Sequence, residues 1–143
     1  MDWKGEAVEK LRQLGAMETA LQTIPLEVQR LELDAQSIRG ADSGKVVGKG
    51  GGRQEDALLS NLVHRQELGN RLQQASCWVD TVKKALSTLS EEQQLVLQRL
   101  YIAPQKGSID RLCWELGVEQ SSVYRRRDQA LKQFTMALYG AAG

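Results

Sequence analysis

Residues Ser108–Leu131 read SIDRLCWELGVEQSSVYRRRDQAL, and their spacing decides how the chain folds. Ile109, Leu112, Cys113 and Leu116 recur at helical intervals, which predicts a short helix with one buried face. Gly117 follows where a sharp turn requires the left-handed conformation, and Val118 plugs the angle. Gln120, Ser121 and Ser122 then open a second helix, whose buried stripe is Val123, Ala130, Leu131, Phe134 and Leu138. A short helix, a glycine-centred turn and a second helix form the helix-turn-helix pattern.

The unit begins upstream. Leu89-Ser90-Glu91-Glu92-Gln93 is a helix-start signal: Ser90 can cap, and Glu91 and Glu92 suit the positive end of the helix dipole. The helix that follows is predicted to bury Leu95, Val96, Leu97, Leu100 and Tyr101 and to stop before Pro104. Ser108 stands where the next N-cap is needed.

Working outward, composition bounds the rest. The chain has 143 residues, room for one compact domain or a small domain with an extended arm. It carries 19 Lys+Arg against 18 Asp+Glu, a net charge of +1, so any basic surface must be local. With two prolines, no β-branched runs and abundant Leu, Gln, Glu, Ala and Arg, an all-α fold is predicted. No apolar run approaches the roughly 20 residues that span a bilayer, and the N-terminus has no signal-peptide stretch. A cytoplasmic protein with no membrane partner is expected. Cys77 and Cys113 are far apart, and His64 is the single histidine. No metal site is expected, and the thiols are read as reduced and partly buried.

The first 88 residues read as a helical arm. Leu14, Met17, Leu21, Ile24, Val28, Leu31, Ala35 and Ile38 form one apolar seam that continues across Pro25. Proline's missing donor predicts a kink there, or two helices in line. Residues 40–53 hold six glycines from Gly40 to Gly52 and read as a flexible loop, with a basic loop touching DNA or a partner as the alternative. It is no Walker loop, because Lys45 precedes Val46 and Lys49 precedes Gly50. A long helix over 54–88 follows, with the seam Leu58, Asn61, Arg65, Leu68, Leu72, Ala75, Val79, Val82, Leu86 and Leu89. The two polar members are assigned to a fraying tip. Two such seams pair as a coiled-coil-like antiparallel hairpin or with a second chain, which makes a homodimer a candidate. Residues 89–143 are predicted to form the helix-turn-helix unit.

The pattern of Ile109–Leu131 resembles region 4 of bacterial sigma factors. The matching elements are Leu89-Ser90, Ile109-Asp110-Arg111-Leu112-Cys113, Leu116-Gly117-Val118 and the closing Ala130-Leu131. Val123-Tyr124-Arg125-Arg126-Arg127, with the arm ahead of it, is closer in layout to phage transcriptional regulators of the ArpU and RinA type. The resemblance covers about 50 residues well, and the first 88 only in layout. It implies binding of double-stranded DNA and control of transcription in a bacterial host cell, and makes RNA polymerase a candidate partner.

The resemblance places base contacts on the first two turns of the recognition helix, at Gln120, Ser121, Tyr124 and Arg125. Independently, the stripe Val123, Ala130, Leu131 and Phe134 turns Ser121, Tyr124, Arg125, Asp128 and Lys132 outward. Arg125 is the leading candidate, because a guanidinium can bridge O6 and N7 of guanine; Gln120 could do the same for adenine. Arg126 flanks the buried stripe and is expected to reach a phosphate or an acidic neighbour. Arg127, Ser122 and Lys132 complete the DNA-binding set, Ser122 with the helix-start amides as a phosphate clamp. The helix opens on Gln-Ser-Ser where sigma region 4 is usually charged, so a promoter −35 target is not carried over. Trp114 is expected to pack on the arm, with Trp78 as the other half of the contact.

No nucleophile–base pair, metal cluster or phosphate loop is present, so neither catalysis nor a cofactor is expected. Two alternatives remain beside the regulator. One is a DNA-packaging recognition subunit of small-terminase type. The other is an adaptor or inhibitor that docks on RNA polymerase or another protein without reading DNA.

Overall fold

A computed structural model of the chain describes residues 1–42 and 51–142. It is all-α, with no strand among the described residues. The elements are α1 (Trp3–Asp42), α2 (Gly51–Ser87), α3 (Glu91–Leu97) continued by a π turn (Gln98–Ile102), α4 (Ser108–Leu116) and α5 (Gln120–Tyr139).

Asp2 starts α1, its Oδ1 accepting the Gly5 N–H at 2.9 Å. Pro25 lies inside this one helix, so two helices in line are not what forms. Its ring leaves the Leu21 carbonyl without an i+4 donor. Burial on both sides, at Leu21, Ile24, Val28 and Leu31, outweighs that loss. The loop expected over 40–53 is shorter at both ends: 40–42 continue α1 and 51–53 begin α2. A glycine costs only about 1 kcal/mol in a helix, which a long adjoining helix can carry. Residues 43–50, and with them the suggested basic loop, lie outside the described residues.

The chain divides into two compact units, one of Met1–Glu18 with Cys77–Gly143 and one of Thr19–Ser76. The expected boundary at residue 88 therefore falls inside the first unit. In the second unit, the seams of α1 and α2 face each other. Asn61 is buried there and donates from Nδ2 to the Leu31 carbonyl at 2.8 Å. Gln54 donates from Nε2 to the Ile38 carbonyl, also at 2.8 Å. The partner thus advances seven residues on α1 while the donor recedes seven on α2, which makes the pair antiparallel. Asn61 is not a residue of a fraying tip. It spends one donor across the interface and accepts from Arg65 Nε at 2.8 Å, so its buried amide is satisfied on both ends.

In the first unit, Ala7, Leu11 and Leu14 of α1 are buried, as are Ala75's successors on the α2 seam, Val79 and Val82. Lys83 and Glu18 pair at 3.6 Å. Trp3 lies against Tyr139 with ring centroids 4.9 Å apart, and Lys10 approaches the same ring. Arg12 lies over the Tyr101 ring at 5.8 Å. Cys113 is half-buried as expected, but Cys77 is exposed, because Ala75 and Val79 on either side of it take the buried face.

Ser90 caps α3 through a capping box: its Oγ accepts the Gln93 N–H, and Gln93 Oε1 accepts the Ser90 N–H, both at 3.2 Å. The helix ends in a π turn closed by Ala103 N–H donating to the Gln98 carbonyl at 2.9 Å. Ala103 then leaves helical geometry (φ −133°, ψ 67°), a departure that the following proline favours.

Candidate nucleic-acid interface

The site is built on α4, α5 and the connection between them. Gly117 takes φ 65° and ψ 37°, the left-handed region where a Cβ would be strained. Its neighbour Val118 donates to the Cys113 carbonyl at 3.1 Å and turns its side chain into the core. That core centres on Val96, Leu112 and Val123, with Leu95, Leu100, Ile109, Cys113, Leu116 and Val118 packed around it. Each of the three helices α3, α4 and α5 thus contributes one fully buried residue. Ser108 is not the N-cap of α4: Gly107, at φ 78°, takes that place and Ser108 is the first helical residue. Its hydroxyl instead donates to the Gln105 carbonyl at 2.6 Å and accepts the Gln105 N–H at 3.0 Å, closing the turn after Pro104.

α5 buries Val123, Ala130, Leu131 and Phe134 as expected, and Thr135 as well. The Thr135 hydroxyl donates to the Leu131 carbonyl at 2.6 Å, so a polar side chain enters the stripe at no unpaired cost. Opposite that stripe, Gln120, Ser121, Tyr124, Arg125, Asp128 and Lys132 are exposed along one helix face.

The three arginines of the run have three different surroundings. Arg126 is half-buried, donates to Ser122 Oγ at 3.1 Å and pairs with Glu92 of α3, so the acidic neighbour is its partner. Arg127 pairs with Asp128 at 2.9 Å and lies over the Tyr124 ring at 5.0 Å. Arg125 makes no hydrogen bond, ion pair or ring contact with any described residue. Ser122 is half-buried, its hydroxyl engaged by Arg126 and its amide by the Glu119 carbonyl at 3.0 Å. The residues with uncommitted polar ends on this face are therefore Gln120, Ser121, Arg125, Lys132 and the hydroxyl of Tyr124.

Trp114 is 85% exposed and does not pack on the long helices, so Trp78, half-buried on α2, is not its counterpart. Leu112 and Leu116 decide this. Each lies two residues, about 200° of helix, from Trp114, and both point inward.

An ion cluster joins the π turn to α4. Glu115 accepts from Arg99 Nε at 3.1 Å and from Arg111 Nε at 2.8 Å. The Arg99 hydrogen bond, and then that of Arg111, hold the Glu115 carboxyl below the ordinary glutamate value against the opposing effect of burial. The i,i+4 pair of Arg111 and Glu115 is legible in the sequence, but Arg99, sixteen residues away, is brought in only by folding. A carboxylate with a lowered folded pKa contributes stability above its unfolded pKa of about 4.3, lost as pH falls through the folded value. Denaturant midpoints are expected to fall between pH 5 and pH 3, and Glu115→Gln should flatten part of that fall. An unchanged pH profile in the variant would show that the cluster contributes nothing.

No helix of the described residues is long and apolar enough to cross a membrane. No family model matches the chain, and no curated protein or solved structure is significantly similar to it.

Proposed function

We propose that the protein is a sequence-specific DNA-binding regulator of transcription, of the phage type that its resemblance implies, with α4 and α5 acting as a helix-turn-helix. The observation that carries this reading is the unequal treatment of the arginine run. Arg126 and Arg127 have partners, whereas Arg125 stands uncommitted on the exposed face of α5 beside Gln120, Ser121 and Tyr124. A solvated basic face has no need of that pattern. A free guanidinium fork can bridge O6 and N7 of guanine, and tethered neighbours help to hold such a helix in place.

Selection from random duplexes by the full chain, followed by salt titration of the enriched sequence, tests the reading. One motif should be enriched, and its affinity should fall with a slope of about 0.9 in log–log form for each phosphate neutralised. No enrichment together with salt-indifferent binding would refute the assignment.

The exposed Trp114 favours a second reading, in which α4 presents an anchor to a protein such as RNA polymerase. Polymerase retained by the wild type in the absence of DNA, and lost with Trp114→Ala, would support it.

A further inference from the structure

A cavity of about 130 Å³ lies between the π turn and the start of α4, away from the exposed face of α5 residues named above. Its polar lining comes from Arg99, Gln105, Lys106, Ser108 and Arg111. Three of these side chains are cations and none is an acid. The carboxylate that reaches them from outside the lining is Glu115, one negative charge against three positive. Glu115 occupies Nε and Nη2 of Arg99 and Nε of Arg111, and Gln105 Oε1 approaches Nη1 of Arg111. Nη1 of Arg99 and Nη2 of Arg111 bond to no described group, nor does the Lys106 ammonium. Arg99 is only 29% exposed, so the Glu115 bridge fixes its guanidinium in place before any ligand arrives.

One free Nη from each of two arginines and an ammonium, around a small cavity, are a cationic donor set suited to a tetrahedral oxyanion. The volume is about four times the ~30 Å³ that a water molecule occupies in the liquid, enough for a phosphate group. We propose that this cavity is a phosphate-binding site, occupied by a backbone phosphodiester when the protein is on DNA. The source of the phosphate rests on the DNA-binding reading; the cavity and its donors do not. Bound there, a phosphate would tie the π turn and α4 to the duplex and carry no sequence information, leaving discrimination to α5.

The test uses the full chain and Lys106→Gln, which alters an exposed side chain without a described partner and leaves the Glu115 bridge intact. Amide signals of Gly107 and Ser108 and the Arg99 Nε–H signal are followed during titration with inorganic phosphate at constant ionic strength, then with the selected duplex. Both titrations should move these signals, and Lys106→Gln should weaken both. For the duplex, the variant should lower the salt slope by about 0.9 and weaken all sequences alike. Movement with inorganic phosphate alone, weakened by the variant, still supports a phosphate site and assigns it to the free ion. Signals that stay still in both titrations, or move equally in the variant, overturn the proposal. If Arg125-dependent DNA binding proceeds while these signals stay still, the cavity proposal fails alone. If phosphate binds and no duplex is selected, the DNA reading fails alone.

Discussion

Phe134→Ala is expected to destabilise the first unit by about 3–5 kcal/mol, read as a lower denaturant midpoint at unchanged slope. Phe134 is the chain's single phenylalanine and is fully buried, as are Leu131 and Thr135 beside it on α5 and Leu97 on α3. Truncation removes the transfer free energy of a ring and leaves a cavity in the packed interior of the unit. Against a typical total of about 5–15 kcal/mol, such a loss takes a large share of the stability. A midpoint shift equivalent to under about 1 kcal/mol would mean that the α5 stripe is loosely packed. Phe134→Leu should recover much of the loss, since it restores part of the volume.

Arg125→Ala should leave stability unchanged and cost about 1–3 kcal/mol at one base pair of the selected site, about 5- to 150-fold in affinity. The fold should not feel it, because Arg125 is exposed and holds nothing in place. Arg126→Ala is the informative contrast. It removes the bridge from α5 to Glu92 of α3 and a donor to Ser122. Partly exposed ion pairs contribute about 0–1 kcal/mol, so a small loss of stability is expected, with affinity lowered evenly for all sequences. Equal discrimination by wild type and Arg125→Ala would show that the run is a solvated face, and attention would move to Trp114.

Much of the architecture follows from spacing alone. The eight α1 positions from Leu14 to Ile38 are all buried or half-buried, as are the ten α2-side positions from Leu58 to Leu89. Gly117 takes the left-handed turn, Ser90 caps its helix, and Ser121, Tyr124, Arg125, Asp128 and Lys132 face outward. These features are local: a helix repeats every 3.6 residues, and caps and turns act within four, so neighbouring residues are enough to set them.

The remainder depended on residues that are distant in the chain. Asn61 looks like a flaw in a seam until the Leu31 carbonyl is placed opposite it. Periodicity sets Arg126 beside the buried stripe, but its partner Glu92, thirty-four residues earlier, is supplied only by folding. Glu115 meets Arg111 one helical turn away, but Arg99, sixteen residues earlier, reaches it only through folding. Periodicity says which side of a helix is apolar. Only tertiary packing says which charges meet, because an ion pair or a cavity is made by side chains from different helices and has no signature in either helix by itself.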